Sequence, residues 1–427
     1  MFYQIKTLGC RTNLSESEAL SLELTKRGHR YSATKPDLIV VNGCTVTAVA
    51  DRKTRQTLTA LKNKFPKARL VLIGCSARNA TLTWPGVECF KSSEDLLETV
   101  PKRTPISELR STNSEVRATS FELRATSSLK TRAHIKIQEG CNNHCTYCII
   151  SQVRGPERSV PLQQVLEELK QCHKRGVQEV VLTGTHIANW GQDFKAKQKL
   201  SQLVKTILKE TEIQVLRLSS LEPQDFDQEF AELFKGKRVA PYLHLALQSG
   251  SDKILAAMGR KYEVSEVRKM VKALRKICPE LYLGADLITG FPGETMSDFQ
   301  ATVKLCKELE LSKLHVFPYS ERPGTPAVTF TKQVPVIERR ARARKLRELS
   351  HKLLTNYARK FVGQKLQVLV EQEYKGNRLA TSTNFLKVQL PESTKLSAGS
   401  LLIVRITGWD PRKQALRALI DKKASRS

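Results

Sequence analysis

The sequence lacks the long apolar segments that export and membrane insertion require. Nowhere do 18 apolar residues run together, and the first eight residues contain no hydrophobic stretch of the kind that a signal peptide needs. These absences argue against a secreted protein and against a membrane-spanning one. We therefore expect a cytoplasmic protein that has no membrane partner.

Acidic residues are too few to balance the basic ones. The 427 residues include 42 Asp and Glu against 71 Lys and Arg, which gives a net charge of +29. A charge of this size favours a polyanionic partner, and nucleic acid is the first candidate. A membrane surface and a merely soluble basic protein are the alternatives. The length allows about two or three domains with substantial cores.

Ten cysteines in a chain without export signals indicate metal or redox chemistry rather than disulfides. Three of them, Cys141, Cys145 and Cys148, have the spacing C-x3-C-x2-C and are called the loop trio below. Three thiolates this close suit an iron–sulfur cluster, and a [4Fe–4S] cluster held by only three cysteines keeps one iron open. The alternative is a zinc site with His144 as fourth ligand, although structural zinc sites favour other spacings.

A second set of cysteines, Cys10, Cys44 and Cys75, is called the strand-end trio below. Each follows a short aliphatic run and a glycine, and they lie 34 and 31 residues apart, close to one strand–helix–strand repeat. Parallel strands joined by right-handed crossovers end at the same sheet edge, so these three thiols should meet there. They would then hold another cluster with an open iron, or they are simply buried as small hydrophobic residues. For the other four cysteines we expect the second role.

The order of sequence patterns predicts an α/β protein with several parts. We expect an N-terminal parallel α/β domain over residues 1–100, a linker over 101–130, a partial barrel of six strand–helix units over 131–362 that ends in a basic helix, and a small OB-like β-barrel over 363–427. The predicted barrel strands are His134–Ile137, Glu179–Leu182, Val215–Ser219, Tyr242–Leu247, Leu281–Ile288 and Lys313–Pro318.

Polar and glycine residues follow all six predicted barrel strands. Active sites of such architectures lie beyond the carboxyl ends of the strands, and the loop trio follows the first strand. The six ends together therefore predict one site next to the loop trio.

With these residues in view, the chain resembles the methylthiotransferases of the radical S-adenosylmethionine (SAM) superfamily over essentially its whole length. The segment Thr7-Leu8-Gly9-Cys10-Arg11-Thr12-Asn13 is similar to the branch that modifies tRNA carrying N6-threonylcarbamoyladenosine at position 37. So are Leu182-Thr183-Gly184-Thr185-His186 and Arg217-Leu218-Ser219-Ser220-Leu221-Glu222-Pro223. The chain departs from the family at Ser151, where proline is expected, and at Ala380, where glycine is expected.

The resemblance implies two [4Fe–4S] clusters and SAM as cofactors. It implies that the loop trio binds the cluster that holds SAM, and that the strand-end trio binds the cluster that carries the sulfur. The clusters and SAM carry the chemistry, so no side chain is assigned as catalytic. The residues that we expect around SAM are Gly184, Glu222, Gln248, Ser249 and Asp286.

The implied reaction adds a methylthio group to C2 of N6-threonylcarbamoyladenosine at position 37. Within the same class, the substrate could instead be isopentenyladenosine-37 or an aspartate of a ribosomal protein. A non-enzymatic iron–sulfur protein that binds or senses RNA is the alternative from another class.

The expected partners are the anticodon stem-loop of tRNA, SAM, a sulfur donor and an electron donor such as flavodoxin or ferredoxin, and we expect a monomer. The basic helix and the C-terminal domain, which resembles a TRAM domain, should contact RNA, although a basic run is often only a solvated face. The expected RNA contacts are Arg339, Arg340, Arg342, Arg344, Asn384, Phe385 and Lys387.

Overall fold

A computed structural model describes residues 1–102, 131–373, 378–392 and 396–420. The linker expected over 101–130 therefore lies outside the described residues, apart from its first two. Among the helices in those ranges, none is both long enough and apolar enough to cross a lipid bilayer.

The N-terminal part is a five-stranded parallel sheet in the order β2-β1-β3-β4-β5. Its strands are β1 (Phe2–Thr7), β2 (Arg30–Tyr31), β3 (Leu38–Gly43), β4 (Arg69–Gly74) and β5 (Glu88–Cys89). Its helices are α1 (Arg11–Lys26), α2 (Ala48–Lys64), α3 (Cys75–Arg78) and α4 (Ser93–Glu98). Every residue of β3 is buried, as expected for a central strand covered by helices on both faces. The predicted parallel α/β architecture is confirmed.

The central part is a curled parallel sheet, hydrogen-bonded as β10-β9-β6 and β11-β12-β13-β14. Its strands, with one short antiparallel pair (β7 and β8), are β6 (Arg132–Lys136), β7 (Gln138–Glu139), β8 (Arg158–Ser159), β9 (Glu179–Thr183), β10 (Val215–Leu218), β11 (Ser220–Leu221), β12 (Tyr242–Gln248), β13 (Tyr282–Thr289) and β14 (Lys313–Pro318). The two arcs meet at Ser219, where β10 gives way to β11. All six predicted barrel strands are present.

Most helices of the central part cover the outside of this curl, whereas the first of them packs against Cys75 of the N-terminal part. They are α5 (Ile150–Arg154), α6 (Leu162–Lys174), α7 (Leu200–Glu210), α8 (Gln228–Glu232), α9 (Asp252–Ala257), α10 (Val264–Ile277), α11 (Met296–Glu308) and α12 (Val336–Arg359). Short 3-10 helices span Ile187–Asn189, Pro223–Asp225, Leu233–Lys235 and Pro326–Thr329. In α11 the Thr295 side chain caps the helix by accepting from the Asp298 amide, so the sequence marks where that helix begins.

The two faces of β12 have different surroundings. Leu243, Leu245 and Leu247 pack in the large apolar core against the outer helices. Side chains alternate along a strand, so Tyr242 and His244 point to the opposite face, which the curl of the sheet encloses. The inner face of the curl is therefore lined by aromatic and polar groups.

The C-terminal part is a closed five-stranded barrel in the order β15-β16-β17-β19-β18. Its strands are β15 (Lys365–Val370), β16 (Leu379–Ser382), β17 (Lys387–Gln389), β18 (Leu401–Asp410) and β19 (Ala415–Ile420). Its apolar core is continuous with Tyr242 and Tyr282 of the central sheet and with Tyr357 of α12. The prediction of a small OB-like β-barrel is confirmed.

Candidate active site

The strand-end trio lies just past the carboxyl ends of β1, β3 and β4, where parallel strands bring their following loops together. Gly9 has a φ of +112°, and a Cβ on it would lie 2.6 Å from Cys44 Cβ. Glycine is therefore required for the loop of Cys10 to approach Cys44. Burial, and after it the nearby Cys75 and Cys10 sulfurs, raises the pKa of the Cys44 thiol to about 12. The three sulfurs are thus close enough to influence one another.

A buried arginine contacts the strand-end trio from the central part of the chain. Arg154, at the end of α5, donates from Nε to Cys75 Sγ at 3.1 Å and from Nη2 to Asn13 Oδ1 at 3.1 Å. The same Asn13 oxygen accepts from Cys10 Sγ at 3.3 Å. Nη1 of Arg154 is paired with Glu16 at 2.7 Å and with Glu139 at 3.0 Å. These contacts fix two of the three cysteines against one guanidinium group.

The loop trio lies between β7 and α5, and its sulfurs also influence one another. Burial, with the nearby Cys145 and Cys141 sulfurs, raises the pKa of the Cys148 thiol to about 12. Arg260 donates to Cys145 Sγ at 3.3 Å and to Glu222 Oε1 at 3.0 Å. Each trio therefore has a buried arginine that donates to one of its sulfurs and is paired with a glutamate.

The sulfur spacing tests which inorganic group each trio fits. In neither trio do all three sulfurs lie within 4.8 Å of one another. A single zinc ion with bonds of about 2.3 Å would bring tetrahedral sulfur ligands to roughly 3.8 Å apart. In this arrangement both trios are therefore too open for a single zinc ion, and cysteine thiolates are the usual ligands of the larger iron–sulfur clusters. His144, the fourth ligand of the zinc alternative, is exposed and belongs to no cluster of ligand atoms among the described residues.

His186 is a neighbour of the loop trio that sequence reasoning did not assign. Its Nδ1 lies 3.0 Å from Glu157 and its Nε2 lies 2.8 Å from Asp225, and Cys141 is within 4.8 Å of the first pair. Burial alone would lower the pKa of His186, but the hydrogen bonds to Asp225, Cys141 and Glu157 raise it to about 12. His186 thus lies beside the loop trio between two carboxylates, and this environment favours the protonated form of its imidazole.

Two of the expected SAM residues stand near the loop trio. Glu222 follows β11, is paired with Arg260, and accepts from Asn143 Nδ2 at 3.1 Å. Gly184 follows β9, and a Cβ on it would lie 2.6 Å from the backbone oxygen of Gln138, so its position requires a residue without a side chain.

The other expected SAM residues have different surroundings. Gln248 ends β12 with a φ of +61°, and Ser249 is fully buried, with its hydroxyl 3.4 Å from that of Thr302. Asp286 lies midway along β13, not at its end. It is 2.9 Å from His244 Nε2 and 3.5 Å from His315 Nδ1, and despite burial these imidazoles lower the pKa of the carboxyl. No described hydrogen bond or ion pair joins Asp286 to the loop trio.

The basic helix α12 presents only some of its predicted RNA contacts to solvent. Arg339 is buried and donates to Val334 and Tyr319 carbonyls, while Arg342 is buried and paired with Glu294 at 2.6 Å. Arg340 and Arg344 are exposed. Fewer arginines of α12 are therefore available to phosphates than the sequence predicted, because Arg339 and Arg342 lie on the inner side of the helix and bond to neighbouring protein groups.

The RNA contacts predicted for the C-terminal barrel also divide into residues packed inside the protein and residues exposed to solvent. Asn384 is buried and donates to the Tyr357 hydroxyl at 3.1 Å. Phe385 is half-buried, with its ring centroid 4.5 Å from that of Tyr242, whereas Lys387 is exposed. The first two residues thus join the barrel to the rest of the protein, and the lysine faces solvent.

The residues that sequence reasoning missed are cations beside the cysteines, namely Arg154, Arg260 and His186. Arg154 stands only six positions after Cys148, so the sequence showed a cation near the loop trio. It did not show that the side chain reaches Cys75, because 79 positions separate the two. Contacts over such distances follow from the packing of the domains and have no local signature.

Comparisons with known families agree with this geometry. Residues 135–306 match the family described as the Radical SAM superfamily, and residues 3–84 match the one described as Uncharacterized protein family UPF0004. The first match contains the loop trio and the second the strand-end trio.

Among solved structures, a radical S-adenosylmethionine methyltransferase, TsrM, from Kitasatospora setae shares the fold, with a TM-score of 0.54, 14% identity and 77% of each chain covered. Curated relatives are more similar in sequence. The threonylcarbamoyladenosine tRNA methylthiotransferase MtaB of Rickettsia prowazekii is 34% identical, with 95% of this chain and 94% of the relative covered. The tRNA-2-methylthio-N(6)-dimethylallyladenosine synthase of Methylacidiphilum infernorum is 33% identical, with 94% and 91% covered. On this similarity along nearly its whole length, the chain belongs to the methylthiotransferase family of the radical SAM superfamily.

Proposed function

We propose that this protein adds a methylthio group to C2 of N6-threonylcarbamoyladenosine at position 37 of tRNA, using SAM and two [4Fe–4S] clusters. The observation that carries the proposal is the contact of Arg154, which follows the loop trio, with Cys75 of the strand-end trio, in a chain that is similar to tRNA methylthiotransferases along nearly its full length. The alternative role of the strand-end trio, as buried small hydrophobic residues, does not suit Cys10, because Cys10 is exposed.

The strand-end trio would hold one cluster and the loop trio the other. SAM and the clusters supply one-electron chemistry when bound, which side chains cannot replace because the C2 hydrogen of adenine is not acidic enough for any protein base. Arg154 and Arg260 donate to cysteine sulfurs and so stabilise negative charge on them in a buried setting. Glu222 is held by Arg260 and Asn143 and places a carboxylate beside the loop trio, where a cationic ligand such as SAM would be attracted.

RNA binding is assigned to the exposed cations of α12 and the C-terminal barrel. Arg340, Arg344 and Lys387 are exposed in a chain whose net charge is +29. Lysine and arginine contacts to phosphates release counterions, so the affinity should fall steeply with salt. Bases of an anticodon loop are already unpaired, so presenting one to the enzyme requires no base pair to be broken.

A second candidate substrate is dimethylallyladenosine at the same position. It is supported by relatives of nearly equal similarity that are named for that product, including the one from Methylacidiphilum infernorum at 33% identity. The chemistry at C2 would be the same, and only the group on N6 would differ.

Nucleoside mass spectrometry of tRNA from cells with and without the protein tests the proposal. We expect the methylthio derivative of threonylcarbamoyladenosine to disappear from cells that lack it and to return with the wild-type chain. A chain with Cys141→Ala, Cys145→Ala and Cys148→Ala is the control and should restore nothing. Loss of the methylthio derivative of dimethylallyladenosine instead would support the second candidate, and no change in either would contradict the proposal.

A further inference from the structure

Arg11 directly follows Cys10 of the strand-end trio and extends toward the inner face of the curled sheet. Its guanidinium carbon lies 5.6 Å from the ring centre of Tyr242 and 5.5 Å from that of Phe385. Its Nη2 donates to the Tyr242 hydroxyl at 3.3 Å. The cation is thus half-buried between two aromatic rings, one residue away from a predicted cluster ligand.

The charges around these rings do not balance. Arg217 lies over the same two rings, but it is paired with Glu179, and Arg132 shares Glu179 and also binds Glu371. Three arginines therefore meet two glutamates. Within the described ranges, no Asp or Glu lies at ion-pair distance from Arg11, so the excess positive charge is on this side chain.

Arg11 lies between the strand-end trio and the amino end of β12. Tyr242 opens that strand and packs with Phe385 where the central sheet meets the C-terminal barrel, whereas the loop trio lies on the side of Gln248, at the other end of the strand. The backbone of Arg11 belongs to α1, which begins at the strand-end trio. If the strand-end trio delivers the sulfur, the substrate must approach Cys10, and Arg11 is the next residue in the chain.

We propose that Arg11 binds the carboxylate of the threonylcarbamoyl group of the substrate and thereby selects it over an uncharged N6 substituent. This inference rests on the proposed function. Threonylcarbamoyladenosine carries a free carboxylate from its threonine, whereas a dimethylallyl group is a neutral hydrocarbon. A guanidinium fork matches a carboxylate geometrically, and the flanking rings keep water from competing with the pair. The excess positive charge at Arg11 is then neutralised only when the anionic substrate is bound.

Binding of short RNAs tests this role separately from turnover. Anticodon stem-loops containing either threonylcarbamoyladenosine or its threonine methyl ester, which lacks the negative charge, are titrated with the reconstituted full-length protein by fluorescence anisotropy. Wild type should bind the ester about 10-fold more weakly or worse, the range expected for loss of a charge-assisted hydrogen bond. Arg11→Met should bind both RNAs equally, and Arg11→Lys should keep part of the preference.

Arg30→Met is the matched control, because Arg30 is an exposed arginine of the same N-terminal part, on β2. It should keep the wild-type preference, and iron content and circular dichroism show whether each variant is folded and loaded. The inference is overturned if Arg11→Met retains the preference for the free carboxylate. It is also overturned if wild type binds both RNAs equally. If the role of Arg11 is overturned but the enzyme still methylthiolates the threonylcarbamoyl RNA, the proposed function stands. If the enzyme acts on dimethylallyl RNA alone, the role of Arg11 and the proposed function are both overturned.

Discussion

Arg154 Nε lies 3.1 Å from Cys75 Sγ, and this contact joins the two halves of the candidate active site. Arg154 is the last residue of α5, the short helix that follows the loop trio. Cys75 is the first residue of α3, a helix of the N-terminal part. Burial works to raise the pKa of Glu16, but the charge and hydrogen bonds of Arg154 outweigh it and lower that pKa. The guanidinium is therefore bound on both sides, by a carboxylate and by a cysteine sulfur, and it fixes one trio relative to the other.

Replacing Arg154 with methionine should destabilise the protein strongly, because buried Glu16 loses its main partner. Loss of one member of a buried ion pair costs about 3–5 kcal/mol, and urea denaturation of the metal-free protein measures it. The control is Arg175→Met, since Arg175 also lies 3.4 Å from a cysteine sulfur, that of Cys172, but is exposed. Its effect should stay within about 0.5 kcal/mol. If Arg154→Met lowers the free energy of unfolding as little as the control does, the contacts of Arg154 are dispensable for stability.

Replacing Gly9 with alanine should prevent the strand-end trio from binding its cluster while the loop trio keeps its own. The new Cβ would lie 2.6 Å from Cys44 Cβ, so the loop of Cys10 must move away from its partners. Gly176→Ala is the matched control, because Gly176 also has a positive φ, +75°, but nothing within 4 Å of the added carbon. Iron analysis after reconstitution should show a loss of roughly half the iron in Gly9→Ala and none in the control. Full iron content in both would contradict the close approach.

The arginines of α12 should separate into two classes. Arg340→Gln with Arg344→Gln removes exposed charge, so RNA affinity should fall and its logarithmic salt dependence should become shallower by about one per lost phosphate contact. Arg342→Gln breaks the buried pair with Glu294, so it should lower the melting temperature and leave the salt dependence unchanged. Filter binding at several salt concentrations, together with thermal melts, measures both. An unchanged salt dependence in the double variant would exclude this part of α12 from the RNA interface.

The buried carboxylate of Glu179 should make part of the stability depend on pH. Burial acts to raise its pKa, but Arg217 and Arg132 outweigh burial and lower that pKa below the ordinary value of 4.5. A carboxyl whose pKa is lowered on folding stabilises the protein above its unfolded pKa and loses this contribution as the pH falls. The difference in unfolding free energy between wild type and Glu179→Gln should be largest near neutral pH and shrink below about pH 5. A difference that does not change with pH would refute this role of Glu179.

Strand and helix patterns allowed most of the fold to be predicted, because they are local. The six strands of the curl and the convergence of Cys10, Cys44 and Cys75 follow from apolar runs and the rules of parallel sheets. Which arginines of α12 face inward was not evident, since basic residues occupy both of its sides and blur the apolar stripe. The partners of Asp286 were also hidden, because both histidines come from neighbouring strands.

Iron stoichiometry after anaerobic reconstitution tests the central claim, that each cysteine trio holds its own cluster, most directly. Wild type should bind about eight irons per chain, two cubes of four. Replacing all three cysteines of either trio with alanine should leave about four, with the spectrum of the remaining cluster intact. About four irons in the wild-type protein, or the same content in wild type and in one of the triple variants, would contradict the account.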